Sequence, residues 1–149
     1  MILLDTNIFV IDRFFPRDDR YSSNRNFIQR LPRIDACLSI FSLLELCGIS
    51  SFNLSEKELK KWFFEFYDVY KVKIVNPIFG FPSTEEWFVN FVNDLFMCMQ
   101  KRMVFGDAIL LKEAESYKAK HIVTWNKKHF INRTQISIVT PDEFMECQK

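Results

Sequence analysis

The sequence predicts an α/β fold, one domain built on a central, mostly parallel sheet of four to five strands flanked by helices. Three observations carry this. Short apolar runs of strand length alternate with amphipathic stretches from one end to the other, the order that a parallel sheet with helical crossovers requires. Glycine is scarce, at 3 of 149 residues, which argues against a meander of tight hairpins, while 17 phenylalanines supply bulk for a helix-rich body. No internal repeat, linker or low-complexity tract divides the chain. Residues 1–149 therefore read as one domain, long enough to bury its own core, with a helical, insertion-like stretch at 52–104.

Residues 2–5, ILLD, read as a short buried strand ending on a carboxylate. Residues 7–15 fit a short helix stopped by Pro16, followed by a polar loop at 17–24 and a second helix over 26–31, closed by Pro32. A strand is expected at 34–40 and a helix at 42–49. Ser55 and Glu58 form a capping-box pattern opening a long helix, along which Leu59, Trp62, Phe63, Phe66 and Tyr70 recur at helical spacing. A third strand at 72–75 ends before Pro77, and a loop with Gly80 and Pro82 follows. Ser83 and Glu86 repeat the capping pattern before a helix with Trp87, Phe88, Phe91, Leu95, Phe96 and Met99 on one face. These two aromatic helices should pack on each other as a hairpin, with an exposed edge left for a partner. Asp107 opens a helix to about Ala119; strands at 121–124 and 136–139 follow, and Pro141 starts a terminal helix.

The formal net charge is only +1, which gives no help to a duplex-coating reading but is compatible with a small nuclease whose basic residues are local. Cys37, Cys47, Cys98 and Cys147 show neither CxxC pairing nor histidine partners at zinc-ligand spacing, so buried thiols in a reducing compartment are expected. The N-terminal run meets Asp5 too soon for a signal-peptide core, and no apolar stretch reaches about 18 residues. A cytoplasmic protein with no membrane association is expected.

Three acids stand out. In open α/β sheets ligands bind beyond the carboxyl ends of the strands, near a topological switch point, and Asp5 stands at such an end. It is equally placed to cap the following helix. Glu45 lies among Leu43, Leu44, Leu46 and Cys47, so its carboxylate should not face open water. A buried carboxylate must be ion-paired, metal-bound or protonated. Asp107 in a first helical turn is also what a helix dipole alone favours. Gathered at one sheet edge, the three would form an oxygen-rich cluster suited to Mg²⁺ or Mn²⁺.

Four stretches, ILLDTNIFV at 2–10, SIFSLLELCGI at 39–49, GDAILLKEAESYKAKHIVTWNKKHF at 106–130 and ISIVTPDEF at 136–144, make the chain resemble the PIN-domain nucleases, and among them the VapC-like toxins of toxin–antitoxin pairs. The resemblance implies a single PIN-like domain and a metal-dependent endoribonuclease hydrolysing RNA phosphodiester bonds. It implies that Asp5, Glu45 and Asp107 hold Mg²⁺ (or Mn²⁺), and that an antitoxin protein and a homodimer are the expected partners. Where the family pattern has a fourth acid this chain has Asn126, which is assigned a catalytic role through its carbonyl oxygen, with His129 three residues on and expected at the surface. Thr6, Asn7 and Thr124 are supporting candidates that would orient Asp5. Lys101, Arg102, Lys127 and Lys128 are candidates for gripping phosphates, or ordinary helix-end charges.

Two other readings are open. One is a catalytically weak or silent PIN-like domain that binds RNA or a protein partner, which the missing fourth acid favours. The other is an aspartyl phosphatase of the haloacid dehalogenase type with Asp5 as nucleophile, but those enzymes need a second acid two residues on, and Asn7 stands there. The two histidines, His121 and His129, fall in no nucleophile motif.

Overall fold

A computed structural model describes residues 1–80 and 83–147 of the chain. Five strands, β1 (Ile2–Leu4), β2 (Ala36–Ser39), β3 (Lys73–Val75), β4 (His121–Val123) and β5 (Ser137–Val139), make one sheet in the order β3-β2-β1-β4-β5. Every neighbouring pair is parallel. The chain starts in the middle of the sheet, steps outward through β2 to β3, and then crosses back to β4. Its topological switch point is therefore the crevice between the ends of β1 and β4, where a ligand is expected to sit.

The strands are short, and their alternation divides the interior in two. Ile2, Leu4, Ala36, Leu38 and Val123 join one core with residues of α1 (Thr6–Phe14), α2 (Tyr21–Arg30), α3 (Ile40–Ser50), α4 (Glu56–Tyr70) and α7 (Pro141–Glu146). Leu3, Cys37 and Ile122 join the other, with α5 (Thr84–Gln100) and α6 (Phe105–Ser116). The first core is aromatic: Phe9 meets Phe66 and Tyr70 edge-on, with ring centroids 5.0 and 4.9 Å away.

This arrangement corrects the aromatic hairpin. Trp62, Phe66 and Tyr70 of α4 pack in the first core, whereas Leu95 and Cys98 of α5 pack in the second. Helical spacing shows which side of each helix is apolar, but not which sheet face receives it. The α5 stripe is also only half used, since Phe88, Phe96 and Met99 are exposed. The polar loop expected at 17–24 ends early, because α2 begins at Tyr21, and the second strand is trimmed to Ala36–Ser39. Cys37 and Cys98 are buried as expected, but Cys47 is only partly buried and Cys147 is exposed. Pro82 lies outside the described residues.

Local chemistry explains the helix starts. Ser55 Oγ accepts from the Glu58 amide while Glu58 returns the bond to the Ser55 amide at 2.9 Å, the reciprocal box that holds the start of α4. At α5 only half of that device is present among the described residues: Ser83 Oγ accepts from the Glu86 amide at 3.1 Å. Thr140 and Glu143 complete a second box at α7, where Pro141 occupies the first turn. With so few glycines, the chain places Lys71, Arg102, Lys118 and Asn132 in left-handed backbone conformations, each at a cost of about 1 kcal/mol.

One core group is out of character. Glu113, on α6, is 2% exposed, and among the described residues its Oε2 has no hydrogen-bond partner. Burial pushes its carboxyl up from 4.5 to about 7. The folded state therefore holds this proton more tightly than the unfolded chain does. The associated stability is complete below about pH 4.5 and is lost as the pH rises to about 7. Glu113→Gln should consequently raise the melting temperature at pH 8 by several degrees and change it little at pH 4.5. Equal shifts at both pH values in parallel thermal melts would count against a buried, proton-holding Glu113.

Candidate active site

The end of β1 delivers Asp5 directly into the switch-point crevice, where its amide donates to the Val123 carbonyl at 3.0 Å. Its carboxylate caps α1 by accepting from the Asn7 amide at 3.2 Å and also accepts from Thr6 Oγ1 at 3.1 Å. The other oxygen accepts from Asn7 Nδ2 at 2.7 Å and from Thr124 Oγ1 at 2.6 Å. The capping role weighed from sequence is present, and it leaves the same carboxylate in the crevice. Asn7 Nδ2 also donates to Thr124 Oγ1 at 3.0 Å, so β1 and β4 are tied beyond their last sheet bonds. Asp5 is 7% exposed, and desolvation raises its pKa despite these donors.

Asp107 comes from the first turn of α6, half-buried, with Oδ2 2.8 Å from His129 Nδ1. Its pKa is raised, first by desolvation and next by the charge of Asp5, while His129 and Arg133 pull it down. Glu45 lies on α3, and here the sequence expectation needs correction. The residue is exposed, because one side of α3 has no partner: Leu44 and Ile49 are exposed too. Even so its carboxylate is set against Gly106, where a Cβ would stand 2.8 Å from Oε1. Desolvation raises the Glu45 pKa, the neighbouring Thr6 hydroxyl lowers it, and Asp5 and Asp107 raise it. Among the described residues no lysine or arginine pairs with any of the three acids.

The structure thus brings Asp5, Thr6, Asn7 and Thr124 into one hydrogen-bonded unit, with Asp5 close enough to raise the pKa of both Glu45 and Asp107, and Asp107 that of Glu45. Asn126 contributes differently from expectation. Its backbone N–H donates to Thr124 Oγ1 at 2.8 Å, and no hydrogen bond joins its side chain to the three acids among the described residues. His129, expected at the surface, instead holds Asp107; its spacing of three from Asn126 on a short 3₁₀ turn is the signal that could have found it. Arg133, not singled out from sequence, donates to the carbonyls of Lys101 and His129 and so braces the loops on both sides of Asp107. Lys127 is held by Glu143 at 2.7 Å. Lys101, Arg102 and Lys128 remain exposed.

No protein-family model matches the chain, and no curated protein matches it. Solved structures do. One is FitAcB from Neisseria gonorrhoeae, with 16% identity and a TM-score of 0.62 over 95% of this chain and 98% of that one. Another is VapBC2 from Rickettsia felis bound to a DNA fragment from their promoter, with 22% identity and a TM-score of 0.58 over 93% and 97%. The chain has a PIN-like fold. Within that fold Asp5 follows β1, Asp107 lies in the first turn of α6, and Glu45 on α3 reaches Gly106 at the start of α6.

Does this donor set suit a cation? Among the described residues, no three His, Cys, Asp or Glu side chains already stand as a metal-ligating group. The oxygens of Asp5 are occupied by Thr6, Asn7 and Thr124, and one of Asp107 by His129. The chemistry nevertheless fits a hard divalent ion. Desolvation raises the pKa of all three carboxyls, the charge of Asp5 raises Asp107 and Glu45 further and that of Asp107 raises Glu45, and an added cation would offset both effects.

Proposed function

We propose that this PIN-like chain is a Mg²⁺- or Mn²⁺-dependent endoribonuclease, the toxin of a toxin–antitoxin pair. The observation that carries the reading is that Asp5, Glu45 and Asp107 lie near one another at the switch point with no lysine or arginine salt-bridge partner among the described residues, His129 being the one basic side chain paired with them. Structural carboxylates placed together this way are normally neutralised by lysine or arginine. Asp5, Glu45 and Asp107 would hold the cation, which when bound polarises the phosphate and acidifies a water. The chain's own residues do the rest. Thr124 and Asn7 fix the direction of Asp5, His129 orients Asp107, and the exposed Lys101, Arg102 and Lys128 bind flanking phosphates.

The partner assignments have separate support. FitAcB and VapBC2 name complexes, and the second was solved on promoter DNA, which favours an antitoxin for this chain as well. The exposed Phe88, Val89, Val92, Phe96 and Met97 of α5 offer an apolar face for a homodimer. No helix among the described residues is long and apolar enough to cross a membrane, and we place the protein in the cytoplasm. A silent RNA- or protein-binding domain is the second reading. The lack of a preassembled ligand group and the uncharged Asn126 favour it.

The test is incubation with labelled RNAs in Mn²⁺ and in chelator, with Asp107→Asn alongside. Cleavage should require the ion and fall by tenfold or more in the variant. Equal cutting by both proteins, or cutting that survives chelation, rules the reading out. Gly106→Ala probes the third acid without touching it. The new methyl displaces Glu45 Oε1, the end of a flexible side chain, so the fold should hold while cleavage in Mn²⁺ drops several-fold. Wild-type rates in that variant would mean that the position of Glu45 is unimportant.

A further inference from the structure

Beside the acids lies a small slot that the reaction as described does not use. It has a volume of about 80 Å³ and is lined by Phe41, Ser42, Glu45, Phe105, Gly106 and Ile109. Two of these, Glu45 and Gly106, also belong to the acidic site, and Phe105 stands two residues before Asp107. The slot and the reacting centre therefore share a wall.

The walls are of two kinds. Phe41 is fixed from behind: its ring stacks on Phe91 at 6.1 Å and 18°, and Phe91 stacks on Trp87 at 5.0 Å and 12°. Phe105 is free, 60% exposed at the start of α6, with Val104 beside it at 62%. A phenylalanine left open next to a carboxylate cluster costs solubility and contributes little to packing. Lys101 and Arg102 are exposed on the turn that leads into α6, three to four residues before Phe105, and Arg133, which donates to both of their carbonyls, also lowers the pKa of Asp107. A ligand that suits this surface has a flat apolar face for the rings and a negatively charged backbone for the cations. The opening takes part of one planar ring and has no room for a base pair.

We infer that this slot receives a single unstacked nucleobase of single-stranded RNA next to the phosphate that is cut, with Phe105 as its stacking face. The inference rests on the ribonuclease reading for the word "cut", and on the aromatic geometry alone for the base. Base–aromatic stacking of this kind is tolerant of sequence and strong enough to set where a strand lies. It restricts the substrate to loops, bulges and ends.

The experiment measures binding of a short fluorescent oligoribonucleotide by anisotropy in chelator, at fixed salt, so that no cleavage intervenes. Wild type, Phe105→Ala and Phe105→Trp are compared on the single strand, on its duplex and on strands carrying one abasic position. Phe105→Ala should weaken single-strand binding by about 5- to 100-fold, and Phe105→Trp should restore it. At one position an abasic strand should bind wild type as weakly as the intact strand binds Phe105→Ala, and duplex binding should be weak and insensitive to both variants. Single-strand affinity unchanged in Phe105→Ala overturns the subsite, as does a Phe105→Ala change in oligomeric state by gel filtration, which would assign the ring to a second copy of the chain. Phe105-dependent binding in a protein that never cuts would keep the base slot and discard the nuclease.

Discussion

Replacing Asp5 by asparagine is expected to lower RNA cleavage by on the order of 100-fold or more while the protein stays folded. The argument runs through the two oxygens separately. Oδ1 accepts from the Asn7 amide and Thr6 Oγ1, and an asparagine oxygen there keeps both bonds and the cap on α1. Oδ2 accepts from Asn7 Nδ2 and Thr124 Oγ1; an amide nitrogen in its place can accept from neither, and Thr124 Oγ1 already accepts from Asn7 Nδ2 and the Asn126 amide. Those two contacts are lost, but so is the cost of keeping a charge at a site whose burial already raises the carboxyl's pKa. Thermal melts should therefore place the variant within a few degrees of wild type. Single-turnover cleavage in Mn²⁺ at the wild-type rate would remove Asp5 from the chemistry.

A second large effect is expected far from any reacting group. Phe9 is fully buried, edge-on to Phe66 and Tyr70 at 5.0 and 4.9 Å, and joins α1 to α4 beneath the sheet. Phe9→Ala removes the ring and leaves a cavity that rigid neighbours cannot fill, a loss of about 3–5 kcal/mol. For a domain of this size that lowers the melting temperature by roughly 6–20 °C. Phe52→Ala is the control: Phe52 is 89% exposed and its removal should move the midpoint by no more than a degree or two. Similar shifts for the two variants would mean that the aromatic core is not where the stability lies.

Much of the site could be read from the chain because it is written locally. A buried run ending in an acid, LLD before TN, fixes Asp5 at a strand end, and the side chains that hold it are its next two residues and the first residue past β4. What could not be read depends on layers. Glu45 was expected to be shielded because leucines surround it, yet Leu44 and Ile49 face outward where α3 has no partner. The α4–α5 hairpin failed for the same reason: both helices carry an apolar stripe, and only the three-dimensional path sends them to different cores. His129 offers only its spacing from Asn126 as a local signal, because its contact is with Asp107, 22 positions away in sequence and 2.8 Å away in space.

The sheet order assigns the three acids unequal freedom of motion. Asp5 follows the central strand, anchored through its own amide to β4 and through its side chain to Thr124. Local fraying at either edge of the sheet leaves it untouched, so it loosens only when the whole domain opens. Glu45 lies on the exposed flank of α3, with its carboxylate set against Gly106. In the proposed metal centre Asp5 would be the fixed ligand and Glu45 the adjustable one, so that an ion could be accommodated without disturbing the framework that positions them.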